Sequence, residues 1–410
     1  MIKYLGSKRV IVPRLVELFE ELRSTSGVER VADLFSGTSR VGHALKRTGF
    51  AVTSNDHNRY AATLARCYVQ ADLETHKDRA IDLIQQLNQL APAPGYFTHT
   101  FCEKARFLQP KNGARIDAIR ARIAHLKDTG ALGDTPNGTL TEELEAILLV
   151  SLMEAADRVD STTGVQMAYL KSWATRSHND LELRLPDLLP RAKAGPGRAL
   201  CLDVNEAPEA TKANAANAAN GTNGANAADA ANAANAANGA NGANGANGAN
   251  EADEPPGAAA LIANEVDAVY LDPPYNQHKY LGNYHIWETL VRNDEPEAYG
   301  IAMKRTDCRE RTSPFNSKPR AAAALHDAIN ACLSGSRVRH LVLSFSNEGY
   351  LTREDLESML RPHGNIKVLE LDHKRYVGAQ IGIHNPAGKK VGTPGRLRNT
   401  ELVFHLHRAP

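Results

Sequence analysis

The apolar run from Val266 to Leu271 stops abruptly at Asp272-Pro273-Pro274-Tyr275. A short apolar run of this kind reads as a buried strand, and two successive prolines, with fixed φ and no N–H, force the chain out of the sheet in a rigid turn. A second break of similar character lies near the start of the chain. Val28 to Phe35 is apolar and β-like, and gives way at Ser36-Gly37-Thr38-Ser39 to a helical pattern from Arg40 to Arg47. Strand, tight turn and helix make the repeating unit of a doubly wound α/β sheet. There the turn lies at the carboxyl edge, where a small residue lets backbone approach a ligand and helix N–H groups face it. A further strand, Ala51 to Ser54, ends in Asn55-Asp56, at a spacing from the first turn where an acidic group holds ribose hydroxyls.

Not all of the 410 residues can belong to such a sheet. From Ala213 to Asn250 the chain cycles through Asn-Ala-Ala and Asn-Gly-Ala triplets without large apolar side chains, which predicts a flexible insert. Residues from Tyr60 to about Leu189 are mostly helical in pattern, as in Arg115 to Ile123 and Glu142 to Asp157. That stretch is too long for a simple crossover. After the Pro-Pro turn come a buried strand over Val338 to Phe345, a helix near Arg353 to Leu360, and closing strands over Lys367 to Leu371 and Leu402 to Leu406. The expected order is therefore a cofactor-binding part over 1–72, a helical insertion over 73–195, a return strand over 196–206, a low-complexity insert over 207–262 and a catalytic part over 263–410.

The five scattered cysteines argue against a zinc knuckle or a disulfide scaffold, and no run is long and apolar enough for an export signal or a membrane span. A reducing cytoplasm is expected. His278, His285, His373 and His384 lack close ligand spacing, so no metal site is expected.

The Pro-Pro turn also suits a particular chemistry. An exocyclic amine on a base is a poor nucleophile, because its lone pair is delocalised into the ring. Two fixed acceptors on its N–H bonds draw the nitrogen toward tetrahedral geometry, and Asp272 and the Pro273 carbonyl are arranged to provide them. Pro274 stiffens the turn, and Tyr275 offers a flat face to the base.

With Lys3-Tyr4-Leu5-Gly6-Ser7-Lys8 at the start, then Asp33-Leu34-Phe35-Ser36-Gly37-Thr38, then Asp56 and finally Asp272-Pro273-Pro274-Tyr275, the chain resembles the D12-class, Dam-like, adenine-specific DNA methyltransferases. The resemblance implies a Rossmann-like, seven-stranded α/β methyltransferase sheet with an inserted helical recognition subdomain. It also implies that Tyr4, Lys8, Asp33, Phe35, Gly37, Asp56 and Asp272 line an S-adenosylmethionine pocket. Asp203, in Cys201-Leu202-Asp203-Val204, falls where the family has an acidic residue near the cofactor adenine. Two departures stand out: Thr38-Ser39 replaces a further glycine of the loop, and the insert between Asp203 and Asp272 is unusual in size and composition.

The implied partner is double-stranded DNA, with N6 of adenine as acceptor and the target base turned out of the helix. The enzyme is expected to be a monomer, with a cognate restriction endonuclease encoded nearby as an associated possibility. Alternatives of related chemistry are RNA adenine and DNA cytosine-N4 methylation. A catalytically silent DNA-binding module of the same fold is the alternative of another class. Candidate DNA contacts are Arg158 and Lys171, in a polar stretch that also holds Ser161, Thr162, Thr163, Gln166, Tyr169 and Trp173, and the basic residues Lys374, Arg375, Lys389 and Lys390. A second cationic cluster comprises Lys304, Arg305, Arg309, Arg311, Lys318 and Arg320.

Overall fold

The computed structural model describes residues 1–5, 8–129, 140–205, 257–374, 383–384, 390–392 and 398–408. Seven strands form one sheet: β1 (Arg30–Asp33), β2 (Ala51–Asn55), β3 (Arg198–Leu200), β4 (Ala268–Leu271), β5 (His340–Ser346), β6 (Gly364–Lys374) and β7 (Arg398–Arg408), in the order β3-β2-β1-β4-β5-β7-β6. β1 runs parallel to β2 and β4, β2 to β3, and β4 to β5, whereas β7 is antiparallel to both β5 and β6. The expected mixed α/β sheet is thus present. β1 sits between β2 and β4, so the chain winds outward in opposite directions from β1 and β4 and opens a crevice beyond their carboxyl ends.

Strand character follows from burial. Every residue of β4 and of β5 is buried, as expected of central strands covered on both faces, and this is why β4 and the middle of β5 read as apolar runs. On one face of the sheet lies α1 (Val12–Ser26), whose Leu15, Phe19 and Leu22 pack with Val31, Phe50 and Val52. Gly27 closes this helix in the left-handed region at φ 68°, with its N–H on the Arg23 carbonyl. The other face is covered by α7 (Ala258–Ile262) and α10 (Lys318–Cys332), where Ile262, Leu325 and Ile329 meet Leu341 and Phe404.

The central segment is helical as expected: α3 (Arg59–Ala65), α4 (Leu73–Asn88), α5 (Pro110–Thr129) and α6 (Glu142–Arg158). Thr141 caps α6 by accepting the Leu144 N–H, a device worth about 1 kcal/mol. Two features of the packing bear on the expected division into parts. The expected division at residue 72 does not separate two cores, because Ile2, Tyr60 and Tyr68 share one cluster with Ile116, Ile147, Leu152 and, from beyond the Pro-Pro turn, Trp287. Nor does the insert extend to 262: α7 is a helix whose Ala258, Ala259 and Ile262 are buried, so its apolar side chains make it part of the fold. The remainder of that insert, 206–256, lies outside the described residues. Among the described residues no helix is long and apolar enough to cross a membrane.

Candidate active site

The crevice beyond β1 and β4 holds a cavity of about 1050 Å³, open to solvent. Four strand ends and the amino-terminal segment supply its walls. From β1 come Asp33, Phe35 and Gly37, from β2 Asp56, from the exit of β3 Asp203, from β4 Asp272 and Pro274, and from the amino terminus Tyr4 and Lys8. The structure therefore brings together residues as far apart in sequence as Tyr4 and Asp272.

The turn after β1 accommodates Thr38-Ser39 in place of a further glycine. Gly37 lies at φ 51° and Ser39 at φ 58°, so Ser39 adopts the left-handed conformation despite its Cβ, at a cost of about 1–2 kcal/mol. The turn is closed by the Ser39 N–H on the Ser36 carbonyl at 2.7 Å, and α2 (Arg40–Arg47) starts with the His43 N–H on Ser39 at 2.8 Å. A Cβ on Gly37 would stand 3.2 Å from the Tyr4 hydroxyl, so the glycine is needed for both its φ and its lack of bulk. Gly37→Ala is expected to lower affinity for S-adenosylhomocysteine at least about tenfold, as strain and contact together exceed 1.4 kcal/mol. Isothermal titration calorimetry measures it, and an unchanged affinity would count against the loop as a ligand cradle.

Asp56 is fixed by the Gly37 N–H at 3.0 Å and the Asn58 N–H at 2.9 Å. Burial raises its carboxyl above the usual range, against the pull of those donors. Asp203 turns back on itself, accepting the Asn205 N–H at 2.9 Å. Asp33 differs from both. It is 1 % exposed, and no donor other than the nearby Gly42 amide bears on either carboxylate oxygen. Burial, with Asp272 and Asp56 nearby, pushes it to about 8, only partly offset by the Gly42 amide.

Tyr4 forms an aromatic wall, stacked on Tyr280 and Tyr284 with ring centroids 5.4 and 4.6 Å away. These two tyrosines lie on and just after the short helix α8 (Tyr280–Asn283), which follows the Pro-Pro turn. Asp272 itself stands 2.8 Å from Lys8 Nζ. Its carboxyl is pushed up to about 6, by burial above all, with Lys8 lowering it and Glu401 raising it. Tyr275 packs edge-on against Phe345, and its carbonyl accepts the Tyr350 N–H at 2.9 Å. Asn316 Nδ2 donates to the Asn276 carbonyl at 2.8 Å and to that of His278 at 3.1 Å, so the turn is held from both sides.

A family model for D12 class N6 adenine-specific DNA methyltransferases matches residues 4–193 and 212–359. The chain belongs to this family. It is 26 % identical to the modification methylase StsI of Streptococcus sanguinis over 100 % of its own length and 52 % of that protein. It is 25 % identical to the type II methyltransferase M.FokI of Planomicrobium okeanokoites, over 91 % of this chain and 49 % of the relative. A shorter relative, the type II methyltransferase M.NlaIII of Neisseria lactamica, is 24 % identical over 91 % of this chain and 92 % of its own length. The chain thus spans about half the length of the first two curated relatives and nearly all of the third.

Outside the cavity the candidate contacts fare unevenly. Ser161, Thr162 and Gln166 are buried, and each has a partner inside the protein. Gln166 fastens the wall of the site: its N–H bonds the Asn283 carbonyl at 2.8 Å, its carbonyl meets His285 at 2.9 Å, and its side-chain oxygen accepts the Ile286 N–H at 2.9 Å. A polar residue after a long helix gave no sign of this, because the partner lies more than a hundred residues away. Arg158 donates to the Glu182 carbonyl at 2.6 Å, and Lys171 is exposed. Lys374 and Lys390 are described only as strand residues, while Arg375 and Lys389 lie outside the described residues.

Two members of the second cationic cluster are paired within the protein. Buried Arg305 is chelated by Asp294 at 2.7 Å and Asp307 at 3.0 Å, and Arg311 joins Glu288 to the His57 carbonyl. Sequence reasoning missed Glu401, Ser344, Asn316 and Tyr350. Only their position on neighbouring strands and turns brings them to the site. Among the described residues no cluster of three His, Cys, Asp or Glu side chains is placed to hold a metal ion.

Proposed function

We propose that this chain transfers the methyl group of S-adenosylmethionine to N6 of adenine in double-stranded DNA. The observation that carries the reading is the juxtaposition of Asp272, at the head of the Pro-Pro turn, with the Asp33-to-Thr38 loop in a single cavity. The cavity also fits the cofactor chemically. A buried carboxylate offset only by the Gly42 amide, Asp33, favours a cationic or donor-rich ligand; Asp56 and Asp203 offer acceptors for hydroxyl and amino groups; and Tyr4 supplies an apolar face. When bound, the cofactor supplies an electrophilic methyl carbon on a sulfonium.

The protein's own part is positioning and hydrogen bonding. Asp272 and the Pro273 carbonyl take the N–H bonds of the amine, Tyr275 supports the ring, and Tyr280 and Tyr4 line the site, with Tyr284 stacked on Tyr4. The base must leave the duplex to reach them. No strong base is required before transfer, since the nitrogen becomes acidic once methylated. Asp272 accepts hydrogen bonds best when ionised, so turnover should fall as pH drops through about 6.

Plasmid DNA and cellular RNA, digested to nucleosides after exposure to the protein and the cofactor, give the direct test by mass spectrometry. N6-methyladenosine in its deoxy form is the expected product. Dominant N4-methylcytosine, or label confined to RNA, would refute the substrate assignment. A companion endonuclease is a proposal of the same standing, resting on the names of the relatives, and the neighbouring genes decide it.

A further inference from the structure

Lys8 is one cation between two carboxylates. Its Nζ stands 2.8 Å from Asp272 Oδ1 and donates to Glu401 Oε1 at 2.6 Å. Glu401 is 4 % exposed and belongs to β7, a strand none of whose residues lines the cavity, so it reaches the site only through Lys8. The same oxygen, Oε1, also accepts the Ser344 hydroxyl from β5 at 2.5 Å. A buried carboxylate held by two donors has a defined position, and it holds the ammonium in turn.

We propose that Glu401 is a positioning residue for methyl transfer: by sharing the Lys8 ammonium it prevents that cation from fully neutralising the Asp272 carboxylate, which stays available to the substrate amine. The inference rests on the function proposed above. If Lys8 belonged to Asp272 alone, the carboxylate would be matched charge for charge, and its capacity to accept from a neutral amine would fall. With Glu401 present, the trio carries a net charge of about −1, and part of that charge remains on Asp272. The other titratable groups that interact with Asp272 are Asp33 from the end of β1, Tyr270 from its own strand, Tyr275 from the turn and Tyr280 from α8. None of these takes the Lys8 ammonium in an ion pair.

Glu401→Gln keeps the shape and an acceptor for Ser344 while removing the charge. The first readout needs no turnover. In the ligand-free protein labelled with ¹³C at aspartate carboxyls, and with the Asp272 signal assigned by its loss in Asp272→Asn, the Asp272 midpoint should fall by about one pH unit. In turnover, kcat should drop about tenfold, a fraction of the 10²-fold attached to losing a whole acceptor. Its acid limb should move to lower pH, while KM for DNA stays within about twofold of the wild-type value. Ser344→Ala should produce a smaller shift of the same sign, and it carries the test if Glu401→Gln does not fold. An unmoved Asp272 midpoint, or a loss confined to KM, overturns the inference. A midpoint that moves in a protein inert toward DNA would instead refute the proposed function and leave the charge sharing in place.

Discussion

Replacing Asp272 with alanine is expected to reduce methyl transfer by at least about 10²-fold while leaving the protein folded. The rate loss follows from the role proposed for the side chain, since a preorganised acceptor at the reacting nitrogen is typically worth that much or more. The stability expectation follows from its neighbours. Lys8 would not be left as an unpaired buried charge, because Glu401 remains 2.6 Å from its ammonium. The turn keeps its shape through Pro273 and Pro274 and through the bonds from Asn316 and Tyr350 to the residues that follow. Incorporation of radiolabelled methyl into plasmid DNA measures the first effect, and a thermal melt followed by circular dichroism the second. Turnover near the wild-type value in a folded variant would remove Asp272 from the chemistry.

The parts of this fold visible in the sequence are those determined by local pattern. β4 and β5 are buried on both faces, so their composition alone gave them away, and α2 and α11 (Arg353–Leu360) follow local helical periodicity. β6 and β7 were anticipated shorter than they are, because their outer residues are held by pairing with each other over the full span from Gly364 to Lys374. The same division runs through the site. Asp33, Gly37, Asp56 and Asp272 lie at strand ends, where a break in an apolar run marks the carboxyl edge of the sheet. Glu401 lies within a strand at the start of the apolar run Leu402-Val403-Phe404, a position at which a polar residue is unremarkable. Its partner Lys8 is nearly four hundred residues away, at a separation of |i−j| = 393, and only the antiparallel return of β7 beside β5 brings the two together. Arg305 shows the converse error. A cationic cluster in sequence suggested a surface for phosphate, yet Asp294, 11 residues before Arg305, and Asp307, 2 after it, fold back onto the guanidinium and take its charge inside.

Asp33→Asn should make the ligand-free protein more stable at alkaline pH and at the same time a poorer cofactor binder. Most buried polar substitutions destabilise; here the native group is the anomaly, a carboxyl that is 1 % exposed with only the Gly42 amide nearby to offset its burial. Burial and the neighbouring Asp272 raise it from 3.8 to about 8. Between those values the folded protein retains a proton that the unfolded chain has released, so this group's contribution to stability declines as pH rises through the window and levels off above it. Asparagine removes that decline. Its own buried NH₂ group takes back part of the gain, leaving a net increase on the order of 2 kcal/mol at pH 9 and little change at pH 5. The cost appears in binding. If the carboxylate accepts a charged donor of the cofactor, its loss removes about 1.5–3 kcal/mol, or roughly 10- to 100-fold in Kd. Urea unfolding at pH 5 and pH 9, combined with calorimetric titration of S-adenosylhomocysteine and of S-adenosylmethionine, separates the two effects. A variant less stable than wild type at pH 9 would show that Asp33 has a stabilising partner in solution. Undiminished binding of both ligands would take Asp33 out of the cofactor site.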